Sequence, residues 1–292
     1  MAQRAAAAET GPLPVARTVA ELRRQVQSYR ARGNRIGLVP TMGALHDGHR
    51  ELVRRSGALC ERTIASVFVN PRQFDRPDDL DRYPRTEAED SAALAESGCD
   101  LLFAPGVEEI YPQGHATTVQ VGGVTEPLEG EHRPGHFAAV ATVVAKLLLQ
   151  TLPDDVFFGE KDYQQLQTVR QLVRDLDIPV RIHGIETVRE ADGLALSSRN
   201  RQLDADQRRA APEIYRVLCD CARQLRDGVQ PADPVLEGGI RRLREAGFGK
   251  VDYLALADAR DLTPLARAER PARLLVAAWL GQTRLIDNIP VG

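Results

Sequence analysis

Apolar positions in the first hundred residues follow two periods, one typical of amphipathic helices and one of buried strands. The segment from Thr18 to Tyr29 opens with a capping-box spacing and keeps its apolar side chains on one helical face. Strand-like runs follow as "RIGLVP", "TIASVFVN" and "DLLFAP", with polar or amphipathic segments between them. Because helices and buried strands alternate, the pattern predicts a parallel sheet with crossover helices.

The helices between these strands can be placed from the same pattern. One is expected to begin near Asp47, capped by that residue, with Leu52, Val53 and Leu59 on its buried side. Others are expected over residues 87–97 and 137–150, and the polar stretch after Asn70 is expected to be a loop. A further helix is expected to bury one face, formed by Leu166, Val169, Val173 and Leu176.

"IPVRIHGI" predicts one more strand, and the character of the chain changes after Glu190. A turn-rich segment follows there, and helices are expected from Asp204 onward, with Pro212 starting or kinking one. The runs "KVDYLALAD", "ARLLVAAWL" and "TRLIDNIPV" predict three strands. The expected division is a flexible tail over residues 1–15, a nucleotide-binding domain over 16–187 and a smaller α+β lid domain over 188–292.

Composition and charge exclude several classes of protein. Hydrophobic residues make up 43% of the chain and charged residues 27%, as in ordinary globular proteins. The formal net charge of −3 argues against nucleic acid as a partner. The longest apolar run contains Thr142 and Lys146 and is too short to span a membrane. With no signal-peptide core at the N-terminus, the expected location is the cytoplasm, with the four cysteines reduced.

Lysine is rare in this chain. Of 38 cationic residues only Lys146, Lys161 and Lys250 are lysines, so a lysine indicates a place where a compact ammonium is needed.

Two histidines follow the second predicted strand in "VPTMGALHDGHRELV". If a helix begins near Asp47, its first free N–H groups would face the strand end and form an anion site with His46 and His49. Gly48 would let a phosphate or purine approach the backbone. A metal site is the alternative, with His132 or His136 as a third ligand, and an isolated His-x-x-His is also compatible with a solvated turn.

Two later segments fit the phosphate interpretation. Lys161, in "FFGEKDYQQ", follows a strand and precedes a helix, so it faces the same sheet edge as the histidines. Of Gln164 and Gln165, one is expected to face the cleft and the other solvent. The loop "LALSSRN" supplies hydroxyls and a guanidinium suited to phosphate oxygens. Neither a P-loop nor a Gly-x-Gly-x-x-Gly turn is present, so a nucleotide would be held in another way.

Six motifs in order resemble the pantoate–β-alanine ligase (pantothenate synthetase) family: "VPTMGALHDGH", "FVNPRQF", "YPRT", "HRPGHFAAVATVVAKL", "FGEKDYQQL" and "LALSSRNRQL". That family belongs to the wider HIGH-motif nucleotidyltransferases, and the resemblance covers the chain from about Ile36 to its end. The fold expected is α/β: a Rossmann-like parallel-sheet nucleotide-binding domain followed by a smaller C-terminal α+β domain.

The resemblance implies an acid–amino-acid ligase that forms an amide bond. D-Pantoate and ATP would give pantoyl adenylate and pyrophosphate, and β-alanine would then give pantothenate and AMP. The implied requirements are ATP as co-substrate, Mg²⁺ bridging its phosphates, and a homodimer.

The resemblance also implies roles for particular residues. Catalysis is assigned to His49, His46 and Lys161. The implied ATP site comprises Met42, Gly43, Ala44, Leu45, His46, Asp47, Gly48, His49, Gly159, Glu160, Lys161, Asp162, Val188, Leu196, Ser197, Ser198 and Arg199. The residues implied near pantoate and β-alanine are Gln73, Gln165, Asn70, Arg133 and His136. Glu89 and Asp90 are candidate metal-side carboxylates.

Three other functions remain open from the residues alone. One is a metal-dependent hydrolase built on the histidines, which the absence of a His-Glu-x-x-His helix disfavours. Another is a nucleotidyltransferase of the same superfamily that adenylylates a phosphorylated substrate. The third is a nucleotide-binding module without turnover.

Overall fold

A computed structural model describes residues 12–74 and 77–291, with the backbone alone for 77–79. The predicted tail lies outside the described residues as far as residue 11. Its remainder belongs to the fold, because Leu13 is buried and Val15 begins an edge strand. The expected boundary of the tail at residue 15 therefore falls too late.

The larger part of the molecule is a parallel sheet covered by helices. Its strands are β1 (Val15–Ala16), β2 (Ile36–Thr41), β3 (Arg62–Val67), β4 (Leu101–Phe103), β5 (Asp155–Gly159) and β6 (Arg181–Ile185). Its helices are α1 (Val19–Ala31), α2 (Asp47–Leu59), α3 (Pro77–Arg82), α4 (Glu87–Glu96), α5 (Val107–Ile110), α6 (Glu129–His132), α7 (His136–Thr151) and α8 (Tyr163–Asp175). Every strand pairs in parallel, which confirms the α/β prediction.

Strand order creates a crevice at one edge of this sheet. The order is β1-β4-β3-β2-β5-β6, so the chain leaves β2 toward β3 on one side and leaves β5 toward β6 on the other. Between β2 and β5 the direction of winding reverses. In open parallel sheets ligands bind outside the carboxyl ends of the strands at such a point.

The smaller part packs helices on an antiparallel sheet. Its helices are α9 (Ala205–Ala210), α10 (Glu213–Leu225) and α11 (Ala232–Glu245), and its strands are β7 (Lys250–Asp258), β8 (Ala272–Leu280) and β9 (Thr283–Val291). The three strands coincide with the three apolar runs of the sequence. Pro212 precedes α10, where its missing N–H is not required.

Some local expectations were wrong. Leu59 and Leu176 lie at helix ends and are 51% and 55% exposed, because a helical face leaves the core where the helix runs past its neighbours. The segment after Asn70 is not simply a loop, since it holds a 3₁₀ turn at Pro71–Gln73 and helix α3.

Within the described ranges, no helix has the length and apolarity needed to cross a membrane.

Candidate functional site

A cleft of about 210 Å³ opens at the carboxyl ends of β2 and β5. The histidine turn follows β2 and the Lys161 turn follows β5, so the strand order brings them together. The predicted site residues that line this cleft are Met42, His46, Gly48, His49, Gln73, Gly159, Lys161, Asp162, Gln165, Val188, Leu196, Ser197, Ser198 and Arg199.

Both histidines bond to the backbone of their own turn through the same ring nitrogen, Nδ1. His46 caps α2, and its Nδ1 accepts a hydrogen bond from the Gly48 amide at 3.2 Å. His49 Nδ1 accepts from the His46 amide at 3.3 Å. A neutral imidazole that accepts at Nδ1 carries its proton on Nε2. Each ring therefore presents an Nε2–H donor to a ligand in the cleft.

This cap changes the predicted anion site. His46, not Asp47, is the capping residue, and Asp47 is exposed. The amides of Gly48, His49 and Arg50 already have acceptors, on the Nδ1 or the carbonyl oxygen of His46. The expectation of free N–H groups in this turn was wrong for these amides. Donation to an anion passes instead to the imidazoles.

Both imidazoles are neutral near neutral pH. Burial lowers the pKa of His46 to about 4, with the positive charge of Lys161 adding to the effect. Burial also lowers the pKa of His49 to about 3, helped by His46 and Lys161. Neutral histidines can donate hydrogen bonds without carrying charge of their own, and the cleft also holds the cationic side chains of Lys161 and Arg199.

Asp90 fixes the backbone that leads into the histidine turn. Its buried carboxylate accepts from the amides of Ala44 and Leu45 at 3.0 and 2.8 Å and from the Thr86 hydroxyl at 3.2 Å. The sharp turn places Gly43 and Ala44 at φ values of 81° and 52°. This placement does not fit the metal-side role expected for Asp90, because its oxygens already hold the turn.

Lys161 lies in a 3₁₀ turn, Glu160–Asp162, between β5 and α8. Its side chain is 17% exposed, and its Nζ lies 3.9 Å from Asp162 Oδ1. The neighbouring Glu160 points away from the cleft and pairs with Arg273 of β8 at 2.7 Å. The side chain of Glu160 is therefore not part of the cleft wall.

The predicted Ser-Ser-Arg loop closes the other side. Leu196 N donates to Val188 O at 3.0 Å, which joins the two ends of a tight hairpin. Ser197 Oγ caps the following 3₁₀ turn by accepting from the Arg199 amide at 3.3 Å. The hairpin presents Val188 and the side chains of residues 196–199 to the cleft.

Gln73 forms a polar wall together with Asn70. Asn70 is buried, donates to Gln73 Oε1 at 2.9 Å and accepts from the Tyr111 hydroxyl at 3.0 Å. The NH₂ end of Gln73 is consequently the end available to the cleft. Asn70 orients this glutamine from behind and does not line the cleft.

Arg133 and His136 hold the same wall through its backbone. Arg133 Nη2 lies 2.9 Å and His136 Nδ1 3.2 Å from Gln73 O. Both side chains line a second, larger cavity of about 650 Å³ between the sheet domain and the small domain. The two cavities share the walls formed by Lys161, Asp162, Gln165, Ser197 and Arg199. The smaller one holds the two histidines and is the candidate catalytic cleft.

Some predicted site residues do not line the cleft: Gly43, Ala44, Leu45, Asp47 and Glu89. Of the two glutamines, Gln165 lines the cleft, as expected for one of them. The other, Gln164, was expected in solvent but is buried, and its side chain donates to the carbonyl oxygens of Val124 and Pro127. Glu89 is exposed and lines neither cavity.

Sequence reasoning missed Tyr83 and the apolar floor of the cleft. Tyr83 is buried, and its hydroxyl is hydrogen-bonded to the Ser198 side chain. It belongs to the "YPRT" segment, whose Thr86 binds Asp90, so the motif itself was the available signal. Phe158 and four residues of α7 form the floor: Val140, Val143, Val144 and Leu147.

The metal interpretation finds no support in the geometry. Across residues 12–74 and 77–291, no group of three His, Cys, Asp or Glu side chains could hold a metal ion. His132 packs beside the Tyr253 ring at 5.8 Å, and His136 is engaged with Gln73. Neither supplies the third ligand that this alternative requires.

Comparisons with known proteins agree with the motif order. The model of the family described as pantoate-beta-alanine ligase matches residues 14–290. The pantothenate synthetase of Cereibacter sphaeroides is 58% identical over 278 residues, which is 95% of this chain and 99% of the relative. That of Caulobacter vibrioides is 52% identical over 286 residues, which is 97% of this chain and 100% of the relative.

Solved structures match as well. Pantothenate synthetase from Thermus thermophilus superposes with a TM-score of 0.90 at 48% identity, covering 96% of this chain and 99% of that one. The pantoate-beta-alanine ligase of Francisella tularensis, described as complexed with beta-gamma ATP and beta-alanine, gives 0.80 at 34% identity, covering 95% and 97%. The likeness therefore extends over both the sheet domain and the small domain.

Proposed function

The chain belongs to the pantoate–β-alanine ligase family, and we propose that the cleft between β2 and β5 is where its residues carry out the ligase reaction. The enzyme condenses D-pantoate with β-alanine, using ATP, to give pantothenate, AMP and pyrophosphate through a pantoyl adenylate. The observation that supports the proposed location is the convergence of two inward Nε2–H donors and one lysine at the switch point of the sheet.

The chemistry explains why donors are needed there. A carboxylate is a poor electrophile because oxide leaves badly, whereas the phosphate of AMP leaves well. In the first step a pantoate oxygen bonds to the α-phosphorus, and the bond to the bridging oxygen of pyrophosphate breaks. Negative charge develops on phosphate oxygens during this exchange, so catalysis consists mainly of positioning and charge stabilisation.

We assign that stabilisation to His49, His46 and Lys161. Neutral imidazoles donate from Nε2 without the need to lose a proton, and Lys161 offers a full charge in a setting only 17% exposed. Of the two rings, His49 is the deeper and is assigned as the principal donor. In the second step the β-alanine amine attacks the acyl carbon, and AMP departs.

Substrate contacts are assigned to the remaining walls. Met42, His46, Gly48, His49, Gly159, Asp162 and Val188 would face ATP, and Leu196, Ser197, Ser198 and Arg199 would cover the triphosphate. Gln73 and Gln165 would hold the hydroxyl and carboxylate groups of pantoate. Asn70, Arg133 and His136 support this through Gln73, to which each is hydrogen-bonded.

Magnesium is proposed to arrive with the triphosphate, whose oxygens and waters supply most ligands of this ion. Two carboxylates line the cleft, Asp162 and Glu186, and Asp162, exposed beside Lys161, would meet the water shell of the ion. Bound there, the ion would neutralise phosphate charge.

Three broader expectations are kept as proposals. The division between the sheet domain and the lid domain is proposed near residue 188. One apolar cluster draws most of its buried residues from 16–172 and another draws all of its buried residues from 194–291, although Ala257, Leu262 and Leu275 pack with the first cluster. A homodimer and a cytoplasmic location are proposed from family membership. Sedimentation velocity on the purified chain tests the dimer.

The test of the reaction is pyrophosphate and AMP release from ATP and Mg²⁺ with D-pantoate, with and without β-alanine. A burst of pyrophosphate without β-alanine, followed by steady AMP release when it is added, is expected. Release that does not depend on pantoate would contradict the proposal. A phosphate-linked adenylate that persists when β-alanine is added would favour the phosphorylated-substrate nucleotidyltransferase.

A further inference from the structure

Two adjacent residues of β9, Asp287 and Asn288, are buried, at 2% and 3% exposure, although both are polar. The backbone N–H of Asn288 also donates to Asp287 Oδ1 at 2.7 Å, which orients the Asp287 carboxylate. Neither residue belongs to the sheet domain that carries the histidines. Buried polar side chains are costly unless their partners are satisfied, so these partners identify what the pair is for.

Asn288 holds the backbone of the Lys161 turn. Its Nδ2 donates to Glu160 O at 2.9 Å and to Lys161 O at 2.8 Å, which uses both of its hydrogens. Its Oδ1 accepts from Arg273 Nε at 2.5 Å, and Arg273 itself pairs with Glu160 at 2.7 Å. An aspartate here would place oxygens against two carbonyl oxygens, so the site demands the amide.

Asp287 holds the hairpin on the opposite wall. Its oxygens accept from Arg189 Nη1 and Nη2 at 2.6 and 2.9 Å. Arg189 follows Val188 directly, forms a β-bridge with Ala195 and donates to Gly193 O at 3.0 Å. By holding Arg189, Asp287 fixes the position of the hairpin, and the hairpin carries residues 196–199, which would cover the triphosphate.

We propose that Asp287 and Asn288 are a positioning pair that sets the spacing between the Lys161 turn and the 188–199 hairpin. The pair rests on the proposed function, since it matters only if those two segments contact ATP. Both residues line the larger cavity, but neither lines the smaller cleft that holds the histidines. Each is therefore proposed to act on that cleft through a segment that lines it. A displacement of about 1 Å at a reacting group can lower a rate by about a hundredfold.

The alternative is that the pair only stabilises the fold. Both explanations expect thermal destabilisation on substitution, so stability alone does not separate them. The kinetic signatures do, because the two residues hold different segments. Loosening the Lys161 turn lowers kcat for adenylation, whereas loosening the hairpin weakens ATP binding and raises KM for ATP.

The experiment measures pantoate-dependent ATP–pyrophosphate exchange in the full-length chain. Asn288→Asp is expected to lower kcat by about tenfold to a hundredfold, with a smaller change in KM for ATP. Asp287→Asn is nearly isosteric and is expected to raise KM for ATP more than it lowers kcat. Leu243→Ala in α11, which removes a buried side chain of the small domain away from both cavities, is the control for lost stability.

Lys161→Ala is assayed in parallel, which separates two failures. If Lys161→Ala keeps full exchange activity, the proposed phosphate site is wrong. The proposal of a positioning pair is then wrong as well, because it depends on that site. If Lys161→Ala abolishes exchange but both pair variants match Leu243→Ala in kcat and KM, the pair is structural and only this inference is overturned. Should Asn288→Asp not fold, the KM effect of Asp287→Asn decides the question by itself.

Discussion

His46 and His49 each perform two tasks with one ring. Nδ1 accepts from a backbone amide and so fixes the turn, while Nε2 is left to donate into the cleft. A glutamine or asparagine could imitate one of these nitrogens but not both. The ring is therefore needed for its two separated nitrogens, and the low pKa keeps one of them an acceptor.

The depressed pKa values predict how stability depends on pH. In the unfolded chain these histidines titrate near 6.5, and in the folded protein near 4 and 3. The unfolded state therefore binds more protons between those values, so the free energy of unfolding falls as pH decreases from about 6.5 to about 4. His49→Asn keeps an acceptor for the His46 amide and removes the contribution of His49 to this pH dependence, while that of His46 remains.

Denaturant unfolding of both proteins across that pH range provides the measurement. The His49→Asn protein is expected to lose less stability on acidification than the parent. Parallel curves would show that His49 is not held neutral by the fold.

Lys161 is expected to be the lysine that adenylation requires. Removing a preorganised charge from a developing oxyanion typically lowers kcat by about a hundredfold to a thousandfold. Lys161→Ala should lower pyrophosphate release by that order, because its charge lies in the cleft with both histidines. Lys146→Ala, which removes another of the three lysines and lies outside the cleft lining, serves as the matched control. Equal activity of the two variants would remove Lys161 from the site.

At the scale of elements, the turn from β2 into α2 is the unit that matters. The buried carboxylate of Asp90 in α4 accepts hydrogen bonds from the two amides at the start of this turn, and His46 caps α2, the helix that follows it. The sequence predicted the start of the helix but not the cap, since a histidine is an unusual choice beside Asp47. Only the position of the His46 ring over Gly48 reveals why it is preferred.

Gly48 is required for the packing of that ring. A Cβ added at Gly48 would lie 2.9 Å from His46 Nδ1 and Cε1, so the ring would have to move. Gly48→Ala is expected to reduce adenylation strongly while leaving the unfolding temperature within a few degrees, because alanine favours the helix by about 0.5–1 kcal/mol.

Gly238→Ala in α11 is the control, since its added Cβ would meet only the end of the Arg241 side chain, at 3.8 Å. That variant should be at least as stable as the parent and fully active. Full activity of Gly48→Ala would mean that the ring does not need its present position.

At the scale of the molecule, buried charges fasten the small domain to the sheet domain. Arg284 of β9 forms a bidentate pair with Glu129 of α6 at 2.7 and 2.8 Å, and Tyr253 donates to the same carboxylate at 2.7 Å. Glu129 stands one helical turn before Arg133, which holds Gln73. The pair thus links the small domain to the wall proposed for pantoate.

Breaking this pair is expected to be costly. Arg284→Met replaces the bidentate partner of buried Glu129, which keeps only the longer contact of 3.8 Å with Arg133 Nη1, and it also removes Arg284 from Asp252. Breaking a buried ion pair typically lowers the free energy of unfolding by about 3–5 kcal/mol. Adding Glu129→Gln should recover part of that loss, because the amide carries no charge and still accepts from Tyr253. Chemical unfolding of the single and double variants measures both effects.

The control is Arg209→Met, which breaks an exposed pair with Asp206 and should change stability by no more than about 1 kcal/mol. Losses of equal size for Arg284→Met and Arg209→Met would contradict the account of the buried pair.

The amino-acid sequence was sufficient to predict the order of the elements, the α/β class and more than half of the residues that line the cleft. Local patterns carry this information, since apolar periodicity defines strands and helices and the motifs lie at strand ends. The tertiary structure decided which of those residues meet. His46 and Lys161 are far apart in the chain, and only the pairing of β2 with β5 brings their turns together. Asp90, Tyr83 and Asn288 gained their roles from contacts between distant segments, and such contacts leave no periodic signal in a sequence.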